Sequence, residues 1–182
     1  FKNYFTNLEK YKDIHKGESC YIFGNGPSIK WFDFHNFRDR ISICSGQLHY
    51  HKDFNLLNTK YLLLVEPWFF TDRYTRQLFA SKEQSEIVKN HRSVSIEYKS
   101  FTKKRKNQDK TFFINLSNIF HLRGENIEYV FRTLPTDAMK ADTELAKHNL
   151  FSGSFIASLA LAYHLGFSEV YLVGFDAMTL SP

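Results

Sequence analysis

The sequence is poor in the residues that would indicate a disulfide scaffold, a zinc site or a membrane span. Only two of its 182 residues are cysteines, Cys20 and Cys44, and their spacing matches neither a zinc nor a disulfide pattern. Each lies in or beside an apolar run, which predicts a small core residue. No apolar run reaches the ~20 residues that a membrane-spanning helix needs. The charged beginning, FKNYFTNLEKYKD, lacks the apolar segment of a signal peptide, so we expect a cytoplasmic protein.

Several recurring motifs are also missing. No arginine-rich stripe with interleaved aromatic residues is present, so we expect no nucleic-acid partner. No Asp-x-Asp motif is present, and we therefore expect no metal site. The net charge of +5 suits an anionic ligand such as a nucleotide, an acidic sugar or an anionic membrane surface, without choosing between them. Peripheral contact with the inner face of a membrane and a homo-oligomer both stay open.

The residue pattern predicts one α/β domain over residues 1–182. Short apolar runs bounded by turn residues predict buried strands, and polar residues follow the strands at the edge where open α/β sheets bind ligands. The predicted strands are 19–24, 40–46, 60–67, 111–117 and 168–177. The predicted helices are 4–16, a short one from Ser28, 72–90 and 152–166. We expect a loop over the basic run 99–110, either merely solvated or steering an anionic substrate. Over 118–150 we expect a helical excursion or lid.

The stretch CYIFGNGPSIKWF, residues 20–32, predicts a strand, a glycine-rich turn and a helix. Glycines let a backbone approach an anion and adopt positive φ, and amides at a helix start can bind a phosphate. Gly24, Asn25 and Gly26, with Ser28 as the helix N-cap, therefore form a candidate phosphate site. The alternative is a plain tight turn between a strand and a helix.

Three further features fall at the same predicted edge of the sheet or near it. Ser152-Gly153 opens a helix, where it either caps that helix or holds a ribose or phosphate. Glu66 and Asp176 end strands, where carboxylates bind hydroxyls, bind a metal, act as a base or remain solvated. His49-Tyr50-His51 would place two imidazoles on one face of a strand, but no third metal ligand stands at a suitable spacing. The starts of the helices at 28 and 152 are expected to face one crevice.

Two stretches together resemble a known group of enzymes. IFGNGPSIKWFDF, followed by SGSFIASLALAYHLGFSEVYLVGFD, resembles bacterial sialyltransferases of glycosyltransferase family 42. It also resembles the related domains of motility-associated factors and of archaeal hydroxymethylpterin diphosphokinases. The resemblance implies a Rossmann-like, mostly parallel sheet with helices on both faces. It also implies a nucleotide-sugar donor, CMP-linked in the sialyltransferases, as substrate, with no separate cofactor.

The resemblance also assigns residues to the donor site. The implied donor contacts are Gly24, Asn25, Gly26, Ser28, Ser45, Gly46, Glu66, Ser152 and Gly153. Asp176 matches the aspartate after the family's last strand, and Asp176 and Glu66 are the candidate catalytic residues. Ser45-Gly46-Gln47 stands where the sialyltransferases have an asparagine, and Met178 stands where they have a tyrosine. The family's catalytic histidine is expected beyond Pro182, in a continuation of the domain.

The implied activity is transfer of a sialic-acid-like or other sugar from a nucleotide donor. The acceptor would be a glycan or protein in bacterial lipopolysaccharide or capsule biosynthesis. Two alternatives stay open. One is a diphosphokinase that uses ATP and magnesium, with Glu66 and Asp176 beside the metal. The other is a nucleotide-binding or assembly domain without catalysis, which the missing asparagine and the replacement at Met178 favour.

Overall fold

The computed structural model describes residues 6–67, 69–71, 84–130 and 153–176. Its centre is a six-stranded sheet in the order β5-β4-β3-β2-β1-β6, with every neighbouring pair parallel. The strands are β1 Ser19–Phe23, β2 Ile41–Ser45, β3 Thr59–Leu64, β4 Thr111–Asn115, β5 Ile127–Val130 and β6 Glu169–Val173. The predicted α/β fold with a parallel sheet is confirmed.

The central strands are mostly apolar because both faces of the sheet are covered. In β3 and the residue after it, successive side chains alternate between two separate cores. Leu62 and Leu64 pack into one core. Leu63 and Val65 pack into the other. This alternation follows from the two-residue period of a strand.

Each face of the sheet is covered by a different helix. Helix α1, Gln84–Lys103, packs Tyr98 and Phe101 against Phe112 on one face. Helix α2, Ser154–Leu165, packs against β1, β2 and β3 on the other. The prediction of helices on both faces is therefore confirmed.

Short 3-10 helices form most of the described connections. They are Thr6–Tyr11, Pro27–Trp31, Phe34–Phe37, Leu48–Tyr50, Phe54–Leu56, Arg105–Asn107 and Leu116–Asn118. The sequence predicted one helix over 4–16. The helix found there is the 3-10 helix Thr6–Tyr11, and the prediction is wrong after Tyr11, where turns follow. The helix predicted from Ser28 is a 3-10 helix that begins one residue earlier, at Pro27.

Helix α2 runs back across the sheet, antiparallel to the strands. It ends at Gly166, whose φ of +88° is left-handed and whose amide donates to the carbonyls of Ala162 and Tyr163. From there the chain enters β6, which pairs with β1. The start of α2 therefore lies at the edge formed by the carboxyl ends of the strands, which we call the carboxyl edge.

The order of the strands reverses at β1. From β1 the chain proceeds to β2 and onward on one side, whereas β6 lies on the other side of β1. Open α/β sheets bind their ligands outside the carboxyl ends of the strands at such a reversal. A ligand site is therefore expected at the segments that follow β1 and β6.

Two sequence predictions for connections are wrong. The loop predicted over 99–110 begins inside α1, because Phe101 and Thr102 face the core while the lysines around them face solvent. The excursion predicted over 118–150 contains β5, whose pattern was obscured by the buried carboxylate of Glu128. Lys10 pairs with that carboxylate at 2.6 Å. Residues 72–83 of the predicted helix and 131–150 of the predicted excursion lie outside the described residues.

Within the described ranges, no helix combines the length and the apolar character that crossing a membrane would require.

Candidate functional site

The glycines after β1 make room for the chain that follows β6. The Gly24 amide donates to the Val173 carbonyl at 2.9 Å, and the Gly26 amide donates to the Gly174 carbonyl at 2.8 Å. A Cβ on Gly24 would lie 2.5 Å from the Gly174 carbonyl oxygen, and one on Gly26 would lie 2.6 Å from an Asp176 carboxylate oxygen. Neither glycine has positive φ. Close packing between two chain segments therefore explains both glycines, and both amides are already bonded.

Ser28 is likewise bonded within the protein. Its amide and its hydroxyl donate to the two carboxylate oxygens of Asp176, each at 2.6 Å. These hydrogen bonds stabilise the ionised carboxylate and hold the pKa of Asp176 below its ordinary value. Gly26, not Ser28, is the residue before the 3-10 helix, so the predicted N-cap is wrong. A phosphate could reach the Ser28 donors only by displacing a carboxylate.

Asn25 projects from the same turn with its side chain uncommitted. It is exposed and makes no hydrogen bond within the part of the chain that the structure describes. Its amide lies over Gly46, where a Cβ would collide with the amide nitrogen. Gly46 also has a φ of +60°. The close contact with Asn25 and the positive φ both favour glycine at this position. Ser45 is different, because it is buried and its hydroxyl donates to the Phe23 carbonyl at 3.0 Å.

Glu66 follows β3 and contacts the start of α2. The Ser154 hydroxyl donates to Glu66 Oε1 at 3.1 Å. The other carboxylate oxygen, Oε2, is buried and accepts no hydrogen bond from any described residue. A buried carboxylate oxygen without a donor is costly, which makes it a place where a ligand or water donor is expected.

Two buried asparagines hold this part of the edge in place. Asn115 Nδ2 donates to the Val65 carbonyl at 3.0 Å, and Asn118 Nδ2 donates to the Glu66 carbonyl at 3.1 Å. Sequence reasoning missed both residues. The signal was present, because both are amides at the end of the apolar run TFFINLSN, where the carboxyl edge was expected.

The first turn of α2 has free backbone donors. Gly153 precedes the helix with a φ of +114°, and among the described residues beyond its chain neighbours no heavy atom lies within 4 Å of the position that its Cβ would take. As the N-cap residue it offers no capping side chain, and the first turn of α2 has no acidic residue. The first amides of a helix lack internal partners and lie at its positive end, so they suit an anion. Ser152, the other residue predicted here, lies outside the described residues.

Tyr98 is a further polar residue that sequence reasoning missed. Its side chain is fully buried, and its hydroxyl has no hydrogen-bond partner in the described ranges. Burial, with the nearby Glu66 charge, raises the pKa of Tyr98, so its hydroxyl remains a proton donor. No sequence signal distinguishes this tyrosine from the other aromatic core residues.

The His49-Tyr50-His51 segment does not have the strand geometry that the sequence analysis considered. It belongs to a 3-10 helix and its cap, so the face-sharing that a strand would impose does not apply. The His49 ring packs against Tyr98 and Phe101, and burial lowers its pKa to about 4, so it is neutral at pH 7. His51 stacks on Phe34. Among the described residues, no group of three or more His, Cys, Asp or Glu side chains could hold a metal ion.

The carboxyl edge therefore has a closed part and an open part. Beside β1 and β6, the amides of Gly24 and Gly26 and both donors of Ser28 are used internally. Toward β2 and β3, the exposed Asn25 side chain, the buried Glu66 Oε2 and the first amides of α2 have no partner among the described residues. This open part can accept hydrogen bonds from hydroxyl groups and can bind an anion at backbone amides.

The bonds between Ser28 and Asp176 predict a specific pH response. Because the folded pKa of Asp176 is below its ordinary value of 3.8, the stability it contributes is complete above that pH and is lost as pH falls through the folded pKa. In a Ser28→Ala variant, one of the two bonds is lost, and carbon-detected NMR titration should show the Asp176 pKa rising toward 3.8. Asp33, whose pKa is lowered by His35, is the internal control and should titrate unchanged. An unshifted Asp176 in the unmodified protein would contradict the observed geometry.

Comparison with protein-family models, with curated protein sequences and with solved structures finds no match to this chain.

Proposed function

We propose that this chain binds a nucleotide-sugar at the open part of the carboxyl edge and transfers the sugar to a hydroxyl acceptor. The observation that carries the proposal is the contact between Ser154 and Glu66, which joins the first turn of α2 to a carboxylate with a free oxygen. A nucleotide-sugar has an anionic phosphate, which suits the amides of the first turn of α2. It also has neutral hydroxyl groups, which suit hydrogen-bonding side chains beside that turn. The resemblance to family 42 supports a CMP-linked donor.

In this proposal the donor phosphate binds at the first turn of α2. The turn after β1, which the sequence favoured, has its glycine amides and its Ser28 donors bonded to the segment after β6. The amides of Ser154, Phe155 and Ile156 lack helical partners, because the helical bonding begins with the Ala157 amide and the Gly153 carbonyl. The open space at Gly153 lets a ligand approach this backbone closely.

In this arrangement the hydroxyl groups of the donor face Asn25, and the hydroxyl of the acceptor faces Glu66. Glu66 Oε2 accepts hydrogen bonds and donates none, so it recognises a hydroxyl and disfavours an anion. Asn25 both donates and accepts, which suits a ribose or sugar hydroxyl. Tyr98 is buried near Glu66, and burial together with the Glu66 charge keeps the Tyr98 hydroxyl protonated.

Glu66 is the stronger of the two candidate bases. Both oxygens of Asp176 accept hydrogen bonds at 2.6 Å, which lowers its affinity for a proton. Glu66 retains a free oxygen that can take the proton of the acceptor hydroxyl. As that acceptor oxygen bonds to the anomeric carbon, the bond from this carbon to the phosphate oxygen breaks and the nucleotide departs. The first-turn amides of α2 stabilise the charge on the departing phosphate.

One observation favours a second function, phosphoryl transfer from ATP with magnesium. Glu66 bonds to the first residue of α2, so its negative charge lies beside the proposed phosphate position. Mg²⁺ is commonly bound by one or two carboxylates together with substrate phosphates, and it would remove this repulsion. Asp176 would not be a ready second ligand, because Ser28 occupies both of its oxygens.

A nucleotide screen separates these functions. We expect CMP to raise the melting temperature without a metal, and Asn25→Ala to weaken CMP binding about tenfold through loss of a hydrogen bond to the ligand. Asn36→Ala is the matched control, because Asn36 is also exposed but lies further along the same connection, in the 3-10 helix Phe34–Phe37. Stabilisation only by ATP with Mg²⁺, abolished by EDTA, would instead support the kinase. No response to CMP, UDP or ATP would support an assembly domain.

The role of Glu66 as the base is tested by Glu66→Gln. The amide keeps the size of the side chain and its contact with Ser154 but cannot take a proton at neutral pH. We expect transfer or hydrolysis of CMP-linked sialic acid to fall by about 100-fold or more, while CMP binding changes little. Asp176→Asn is the comparison, and its effect on the rate should be smaller. Equal activity of Glu66→Gln and the unmodified protein would remove Glu66 from the mechanism.

A further inference from the structure

One short segment contains the whole net charge of the chain. Residues 99–110 have six Lys or Arg residues and one acidic residue, a difference of five, which equals the net charge of +5 of all 182 residues. The rest of the chain has the remaining 18 basic and 18 acidic residues and is balanced. The basic character of this protein is therefore a local property.

The fold holds this segment in a fixed position near the amino ends of the strands. Asn107 is buried, and its Nδ2 donates to the Phe101 carbonyl at 2.7 Å. Asn126 Nδ2, just before β5, donates to the Asn107 carbonyl at 3.2 Å. Gln108 donates to the Thr102 carbonyl at 3.1 Å. These bonds tie the 3-10 helix Arg105–Asn107 to the end of α1, so the charges lie on a folded surface and not on a solvated loop.

The cations at 103–106, which we call the basic ridge, are exposed and are not neutralised by the described residues. Three of them have no hydrogen-bond or ion-pair partner there, and Lys106 donates only to the neutral Asn55, at 3.0 Å. Asp109, the one acid of the segment, pairs instead with Lys110 at 3.2 Å and Lys60 at 3.8 Å. Burial, together with the charge of neighbouring Lys103, lowers the pKa of Lys99, as expected where cations are crowded.

We propose that the basic ridge docks this protein on an anionic lipid bilayer. Four adjacent cations match a surface of negative headgroups, and each Lys or Arg near such a surface contributes about 1 kcal/mol to binding. Ile96 is 67% exposed and precedes Lys103 by seven residues of α1, so it lies on the same side and can enter the interface.

Lipid is favoured over nucleic acid because three of the four cations are lysines and the ridge contains no aromatic side chain for stacking on bases.

This inference goes beyond the proposed function and does not depend on it. The basic ridge lies toward the edge formed by the amino ends of the strands, whereas the candidate site lies at the carboxyl edge. A docked molecule would keep the candidate site open to soluble donor. Loss of membrane binding should therefore leave nucleotide binding unchanged, which makes the two proposals separable.

The test is co-sedimentation of the full chain with vesicles of phosphatidylcholine alone or with one quarter phosphatidylglycerol. We expect binding only to the anionic vesicles, weakening steeply as salt rises. Replacing all four cations of the basic ridge by glutamine should weaken that binding at least about thirtyfold. A control variant removes the same charge elsewhere, at the exposed Lys12, Lys16, Lys30 and Lys52, and should retain most of the binding.

Three results would overturn the proposal. The first is no preference for anionic over neutral vesicles. The second is an equal loss of binding in the two glutamine variants, which would show that only total charge matters. The third is absence of vesicle binding together with tight binding of a 20-base-pair duplex, measured by fluorescence anisotropy at the same salt, which would assign the basic ridge to nucleic acid.

Discussion

The rest of the carboxyl edge depends on the close passage of two chain segments, one after β1 and one after β6. Their parallel pairing continues beyond the strands, through the bonds from Gly24 to Val173 and from Gly26 to Gly174. Asp176 then bonds to Ser28 through both carboxylate oxygens. This contact requires glycine at two positions and uses the donors that would otherwise form a phosphate site. An anion would therefore find fewer unpaired donors at the turn after β1 than at the first turn of α2.

The sequence was informative about which segments meet and less so about what they do there. Apolar runs between turn residues predicted five of the six strands, because a sheet covered on both faces leaves long buried runs. The turn after β1 was predicted in place, but its glycines serve a contact with residues about 150 positions away, which no local pattern reveals. Glu128 concealed β5 because its charge is balanced by Lys10, from a distant part of the chain.

The two proposed surfaces lie toward opposite edges of the sheet and differ in the groups that they offer to a ligand. The carboxyl edge offers a carboxylate, amides and a helix start, which suit a small ligand with both phosphate and hydroxyl groups. The basic ridge, toward the other edge, offers concentrated positive charge on a rigid turn, which suits an extended anionic surface. Sequence reasoning treated residues 99–110 as a solvated loop, because it could not show that Asn107 is buried and fixes that turn.

The central claim is that a nucleotide phosphate binds at the first turn of α2 and not at the turn after β1. Titration of ¹⁵N-labelled protein with CMP tests it most directly, with chemical-shift changes followed residue by residue. We expect the largest changes at the amides of residues 153–156 and at the Asn25 side chain, with small changes at Gly26 and Ser28. The largest changes at Gly24, Gly26 and Ser28, with none in α2, would contradict it.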